Sequence, residues 1–160
     1  MALAVTHVLV VIFVLDIFRH YVFGVKKFPR YLLVVGGIAG LLPDIDIPLG
    51  WIAGSDLHGL FTHSLIFVLI FLFFGLISVY QKEIERAKWF WAITAGWLIH
   101  ILLDCGFNAY STFLWPLPID TLAFCPESFL GPYYGASIDA VILVAWLVHE
   151  EAHKKIKDYF

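Results

Sequence analysis

Long apolar runs alternate with short polar clusters along this chain. The apolar runs lie at about 3–18, 31–42, 60–80, 89–104 and 136–149. Hydrophobic residues make up 61% of the 160 residues, and the mean hydropathy is +0.88. A soluble core of this size cannot bury so much apolar surface, so lipid is the expected solvent for much of it. We therefore predict an all-α fold, a polytopic membrane helical bundle with about five membrane segments in a single domain over residues 1–160.

The ten Lys and Arg residues fall into three clusters between the apolar runs. They are Arg19, Lys26, Lys27 and Arg30; then Lys82, Arg86 and Lys88; then Lys154, Lys155 and Lys157. If each run crosses the membrane, all three clusters lie on one face, which the positive-inside rule makes cytoplasmic. We therefore expect the N-terminus outside, the C-terminus in the cytoplasm, and a multi-pass location in the inner or plasma membrane.

The second apolar run is too short to cross a bilayer. Its 12 residues would rise only about 18 Å as a helix, against roughly 30 Å of hydrocarbon. We expect it to stop at Pro43 inside the outer leaflet, with the acidic segment dipping into the membrane and a turn-rich loop over 47–59. Gly36 and Gly40 are interpreted as packing positions that let a neighbouring helix approach closely.

Histidines and aspartates recur toward the outer ends of these runs. They are His7, Asp44, Asp46, His58, His63, His100 and Asp104. His7 and His100 are each 12 residues from the nearest basic residue, which is about 18 Å of helical rise. His100 and Asp104 are four residues apart and so share one helical face, a pairing that suits a zinc-like ion. This common depth predicts a divalent-metal site, most plausibly for zinc, near the extracytoplasmic face.

Three further features receive other interpretations. The segment 149–153, with sequence HEEAH, matches the metalloprotease pattern H-E-x-x-H. It falls at the cytoplasmic end, in a charged tail, so we interpret it as a chance match. Asp16 and Arg19 are interpreted as a structural ion pair at the interface. Cys105 and Cys125 either form a disulfide or remain buried thiols.

The order of the polar motifs resembles one protein family. The motifs are Thr6-His7, Pro43-Asp44-Ile45-Asp46, His58, Phe61-Thr62-His63-Ser64-Leu65, His100 with Leu103-Asp104, and Leu114-Trp115-Pro116. Together they are similar to the small membrane-bound metal-dependent hydrolases, also labelled LexA-binding, inner-membrane-associated putative hydrolases. More distantly, they are similar to zinc-dependent phospholipase C and P1-type nucleases. The resemblance implies that one or two zinc ions are bound by His7, Asp44, His58, His100 and Asp104, and that Asp104 can bridge two ions.

We therefore expect a divalent-metal-dependent hydrolase that acts on a phosphoester bond in a membrane lipid or lipid-linked substrate. Asp46, if it is not a ligand, is the candidate general base; His63 is expected to orient a ligand or to act as an acid. Asp139 is a weaker candidate for supporting a ligand. No nucleic-acid substrate is expected.

Two alternatives stay open at the level of sequence. Acids and histidines within a membrane also form ion pathways, so a metal-binding or transport protein is the first alternative. The second is a regulatory membrane protein that keeps a metal for structure and catalyses nothing.

Overall fold

The structure, a computed structural model, describes residues 4–55, 61–106, 114–116 and 135–153. All regular elements in these ranges are helical, as the sequence predicts. Helix α1 spans Ala4–Phe18 and continues as a π-helical turn over Arg19–Phe23. The other helices are α2 (Tyr31–Ala39), α3 (Asp46–Ala53), α4 (Leu65–Tyr80), α5 (Ile84–Gly106) and α6 (Gly135–Ala152). Short 3-10 turns over Leu42–Ile45 and Phe61–His63 precede α3 and α4.

Two helical segments within the described residues are long and apolar enough to cross a membrane on their own. They are Ala4–Phe23 and Ile84–Gly106. Helix α2 and the segment Leu42–Ala53 pass the same test together, as a pair bent by 46°. Helix α4 is apolar but shorter, at 16 residues. The described residues therefore form an all-helical membrane protein fold with two to three candidate spans. The five predicted segments and the orientation of the termini stay predictions.

The region after the second apolar run differs from the expected loop. Residues 46–53 form helix α3 rather than a turn-rich connection. Pro48 is tolerated because it stands in the first turn, where its missing N–H has no helical partner to lose. Gly54 ends the helix with a φ of +65°, a conformation that glycine adopts without steric cost. The chain is bent by 46° between Ala39 and Leu42, and the two carboxylates Asp44 and Asp46 lie just after this bend.

Helices α2 and α5 approach too closely for a side chain to fit between them. A Cβ atom on Gly96 would collide with the carbonyl oxygen of Gly36 and lie 2.9 Å from the Ala39 Cβ atom. A Cβ atom on Gly40 would lie 3.0 Å from the Val11 Cγ2 atom of α1. Gly36 and Gly40 are therefore packing positions, as the sequence suggested. Their closeness brings the Gly40 backbone within reach of side chains on α5.

Helices α1 and α6 run parallel. Near one end, the Thr6 hydroxyl donates a hydrogen bond to the Asp139 carboxylate. Near the other end, His149 Nδ1 lies 3.1 Å from Asp16 Oδ2. Because the contacts advance by ten residues along each helix (Thr6 to Asp16, Asp139 to His149), both chains point the same way.

Candidate metal centre

Four polar side chains from three parts of the chain converge at the bend between α2 and α3. Asp44 comes from the 3-10 turn at the bend, His63 from the 3-10 turn before α4, and His100 and Asp104 from α5. One possible ligand atom from each residue lies within 4.8 Å of the others. We call these four residues the central cluster. Three of them are fully buried, whereas the Asp44 side chain is 20% exposed.

The backbone of α2 fixes the orientation of His100. Its Nδ1 atom lies 2.7 Å from the carbonyl oxygen of Gly40. A carbonyl oxygen only accepts hydrogen bonds, so Nδ1 carries the hydrogen and donates it. In the neutral ring, Nε2 then presents its lone pair to the cluster, 3.2 Å from Asp104 Oδ2. An imidazole held by its second nitrogen in this way is the usual arrangement of a metal-binding histidine.

A chain of hydrogen bonds fixes the orientation of His63. The Thr62 hydroxyl donates to Asp46 Oδ2 at 2.7 Å, so its oxygen accepts from His63 Nδ1 at 3.1 Å. The same Nδ1 atom lies 3.2 Å from Asp46 Oδ2. Trp97 of α5 holds the turn by donating its indole N–H to the Thr62 carbonyl oxygen at 2.9 Å. Nε2 of His63 therefore also turns its lone pair toward the central cluster.

The distances within the central cluster match the edges of a tetrahedral metal site. The Nε2 atoms of His63 and His100 are 3.2 Å apart. Asp104 Oδ2 lies 3.4 Å and 3.2 Å from these two nitrogens, and Asp44 Oδ1 lies 3.6 Å and 3.5 Å from them. Bonds of about 2.0–2.1 Å to a tetrahedral zinc ion would separate neighbouring ligand atoms by about 3.3 Å. The donor set therefore fits a divalent cation.

The carboxylates of the central cluster also need positive charge. Within the described residues, the ion-pair partners of Asp44 and Asp104 are imidazoles and not Lys or Arg. Both oxygens of Asp104 and Oδ1 of Asp44 are buried without a hydrogen-bond donor in the described part of the chain. Burying a carboxylate without such compensation costs several kcal/mol. A cation among these oxygens would remove that cost.

The structure brings most of the predicted site residues close together, but several of them occupy positions other than the predicted ones. His7 stacks on His100 with ring centroids 3.9 Å apart, and its Nε2 atom lies 3.5 Å from Asp104 Oδ1. His7 thus contacts the second oxygen of Asp104 and lies beside the central cluster. Asp46, the candidate base, lies behind His63, on the side away from the cluster. His63, considered as an orienting group or an acid, has its Nε2 atom in the cluster itself.

Other predictions concern the surroundings of the cluster. His58 lies outside the described residues, as does Cys125. Cys105, which follows Asp104 on α5, is disulfide-bonded. Asp139 accepts a hydrogen bond from Thr6, the neighbour of His7, and is not part of the cluster. Asp16 and Arg19 do form an ion pair, at 3.2 Å, but both are buried.

Sequence reasoning missed the groups that orient the two imidazoles. The Thr62 hydroxyl was visible in the Thr-His-Ser motif, although nothing in the pattern linked it to Asp46. The Gly40 carbonyl oxygen has no sequence signal, because every residue has such a group. Only the close packing of α2 on α5 makes it a partner of His100.

Comparison with known proteins agrees with a membrane location. A family model described as YdjM inner membrane protein matches residues 1–154. Comparisons with curated proteins and with solved structures give no match. The family match and the apolar helices together indicate an inner-membrane protein that crosses the bilayer more than once. Since the match covers almost the entire sequence, the chain belongs to the YdjM inner membrane protein family.

Proposed function

We propose that this protein is a divalent-metal-dependent hydrolase that cleaves a phosphoester bond in a membrane lipid or a lipid-linked substrate. The proposal is carried by the central cluster, in which two imidazole nitrogens and two carboxylate oxygens lie at the spacing of a tetrahedral zinc site. Zinc is the ion that this combination of ligands favours.

The cluster is better suited to catalysis than to a closed structural site. Three of its possible ligand atoms form a compact group, since His63 Nε2, His100 Nε2 and Asp104 Oδ2 lie 3.2–3.4 Å apart. Two histidines and one carboxylate are a known ligand set of catalytic zinc, whose fourth position is left for water or substrate. Asp44 is more distant and partly exposed. We therefore assign the three compact residues as permanent ligands and the Asp44 side as the open face.

The roles of the chain's own residues follow from this assignment. When bound, a divalent metal activates water and polarises a phosphoryl oxygen. Asp44, at the open face, is the proposed general base, in preference to Asp46. Asp46 instead orients His63 through Thr62. The His7 Nε2 atom lies 3.5 Å from the second oxygen of Asp104, and these two side chains would hold a further ion beside the first.

The surface beside Asp44 supports a lipid substrate. The 3-10 turn and α3 expose Ile45, Leu49, Trp51 and Ile52. Two of these side chains are more than three-quarters exposed, Trp51 at 80% and Ile52 at 84%. Exposed apolar patches of this kind mark contact with a membrane or an apolar ligand. An acyl or polyprenyl chain in the bilayer could therefore lie along α3 with its phosphoester at Asp44.

The test is metal content and turnover of the full chain in detergent. Phospholipids and a polyprenyl phosphate serve as substrates, with and without a chelator. We expect bound zinc, hydrolysis of at least one substrate, loss of both with the chelator, and recovery of both when zinc is returned. Asp44→Asn should keep the metal of the central cluster and lose turnover, whereas His100→Ala should lose both that metal and turnover. Glu83→Gln, at an exposed turn, is the control and should change neither.

Two results would overturn the hydrolase proposal. One is retained zinc with no chelator-sensitive hydrolysis of any of these substrates. The other is transport of zinc into sealed liposomes without hydrolysis, which would favour the transport alternative.

A further inference from the structure

A second group of polar side chains lies at the other end of α1. It contains Asp16, His20, His149 and Glu150, each with a possible ligand atom within 4.8 Å of the others. We call these four residues the basic-end cluster, because Arg19 and Arg30 also contact it. Asp16 is nine residues from His7, so about 14 Å of helical rise separates the two clusters. The residues of the HEEAH segment therefore lie far from the central cluster, but two of them, His149 and Glu150, belong to the basic-end cluster.

The π-helical turn after α1 contributes His20 to the basic-end cluster, and α1 itself contributes Asp16. Such turns are rare and occur frequently at functional sites. The first two residues of this turn lie three and four positions after Asp16, and both contact its carboxylate. Arg19 Nη1 and His20 Nδ1 lie 3.2 Å and 3.3 Å from Asp16 Oδ1. From α6, His149 Nδ1 approaches the other oxygen of Asp16 at 3.1 Å.

The imidazoles of this cluster are held by one nitrogen each. His20 Nδ1 also lies 2.9 Å from the carbonyl oxygen of Asp16, and His149 Nδ1 faces the Asp16 carboxylate. Both Nδ1 atoms face acceptors, so they donate, and each neutral ring has its lone pair on Nε2. His153, one turn after His149, repeats the arrangement by donating from Nδ1 to the His149 carbonyl oxygen at 2.8 Å. The ring centroids of His20, His149 and His153 lie 4.2–5.0 Å apart.

Three polar atoms of the basic-end cluster are buried without a partner among the described residues. They are His20 Nε2, His149 Nε2 and Glu150 Oε1. Glu150 is 1% exposed, and the His20 side chain is 5% exposed. Arg30 contacts only the other oxygen of this carboxylate, Oε2, at 3.3 Å. Buried polar atoms are almost always satisfied, so three unsatisfied atoms on the side chains of one cluster indicate a missing partner.

From these contacts we propose that the basic-end cluster is a second divalent-metal site, separate from the central cluster. His20, His149 and Glu150 are the ligands, and Asp16 is the carboxylate that orients both imidazoles, the usual support of a metal-binding histidine. Imidazole nitrogen with a carboxylate suits zinc, cobalt or nickel. Because its ligands come from α6 and from the π-helical turn that continues α1, a bound ion would link α6 to α1. This site gives the HEEAH segment a role that is independent of the proposed hydrolase activity.

The experiment counts Co²⁺ bound by the full chain in detergent, by equilibrium dialysis and by visible absorption. His100→Ala serves as the background because it removes a ligand of the central cluster. In this background we expect one Co²⁺ per chain to remain. Adding His149→Gln or Glu150→Gln should weaken its binding by at least about tenfold. Glu151→Gln is the matched control, since this neighbouring carboxylate on α6 is exposed, and it should leave binding unchanged.

The outcomes separate the two proposals. If the His100→Ala protein binds no Co²⁺, or if Glu150→Gln and Glu151→Gln bind it equally well, the second site is wrong, whatever the central cluster does. If His100→Ala does not elute as a folded protein, the count is made without it. The parent chain should then bind one Co²⁺ more than Glu150→Gln; equal counts overturn the proposal.

Discussion

The two polar clusters lie at opposite ends of α1 and differ in the groups that compensate their buried carboxylates. In the central cluster, the described ion pairs of Asp44 and Asp104 are with imidazoles. In the basic-end cluster, Asp16 pairs with Arg19 and Glu150 pairs with Arg30. We therefore expect the central cluster to depend on a cation from solution, whereas the other cluster receives much of its positive charge from Arg19 and Arg30. Since like charges repel, we expect the central cluster to bind a divalent ion more tightly.

The support of the two clusters also differs. The central cluster rests on the contact of α2 with α5 and on the turn before α4. The basic-end cluster rests on α1 and α6. A change in one support should therefore alter metal binding at one cluster and spare the other.

The largest effect is expected for Gly96→Ala. The new Cβ atom meets the backbone of α2, at 3.0 Å from the Gly40 nitrogen, and a helix backbone cannot move aside cheaply. Overpacking of this kind costs about 1–3 kcal/mol. It should push Gly40 away from His100, lower the thermal stability in detergent and weaken metal binding at the central cluster alone. Gly106→Ala, on the same helix with open space around it, should do neither. Equal loss of metal at both clusters would contradict the independent support of the two clusters.

A smaller effect is expected for Asp46→Asn. Removing the carboxylate that supports a metal-binding histidine weakens metal affinity by about 10–100-fold. Thr62→Val, which removes the hydroxyl between Asp46 and His63, should shift affinity in the same direction. Competition with a chromogenic chelator measures both. If Asp46→Asn instead abolishes turnover with unchanged metal affinity, Asp46 is the general base, and the assignment of Asp44 to that role is wrong.

The smallest effect is expected for Ser64→Ala. The Ser64 hydroxyl caps α4 by accepting from the Ile66 N–H at 3.1 Å and donates to the Trp115 carbonyl oxygen at 3.0 Å. Loss of such a cap costs about 1 kcal/mol. We expect a lower unfolding temperature and a slight weakening of metal binding through the adjacent His63. Ser64→Thr keeps the hydroxyl and should stay close to the parent protein. An unchanged unfolding temperature for Ser64→Ala would contradict the capping role.

Several features of the fold followed from the sequence because they depend on composition and spacing. The apolar runs predicted helices and a membrane location, and the four-residue spacing of His100 and Asp104 predicted their shared face. Helix α3 was missed, because Pro48 and Gly50 are typical of a turn and the tolerance of a proline in a first turn depends on where the helix begins. The different positions of Asp44 and Asp46 were also missed. Two carboxylates two residues apart look alike in sequence, and only the fold of the segment after α2 places one in the cluster and the other behind His63.

By itself, the order of residues determined the medium and the chemistry. So many apolar side chains require lipid, and acids and imidazoles at matching depths require a partner for their charge. Tertiary structure decided which atoms meet, because that depends on how closely helices pack. The approach of α2 to α5 orients His100, and the docking of α6 beside α1 joins the HEEAH segment to Asp16. Neither contact has a local signal, since the residues that form them are 60 and 133 positions apart.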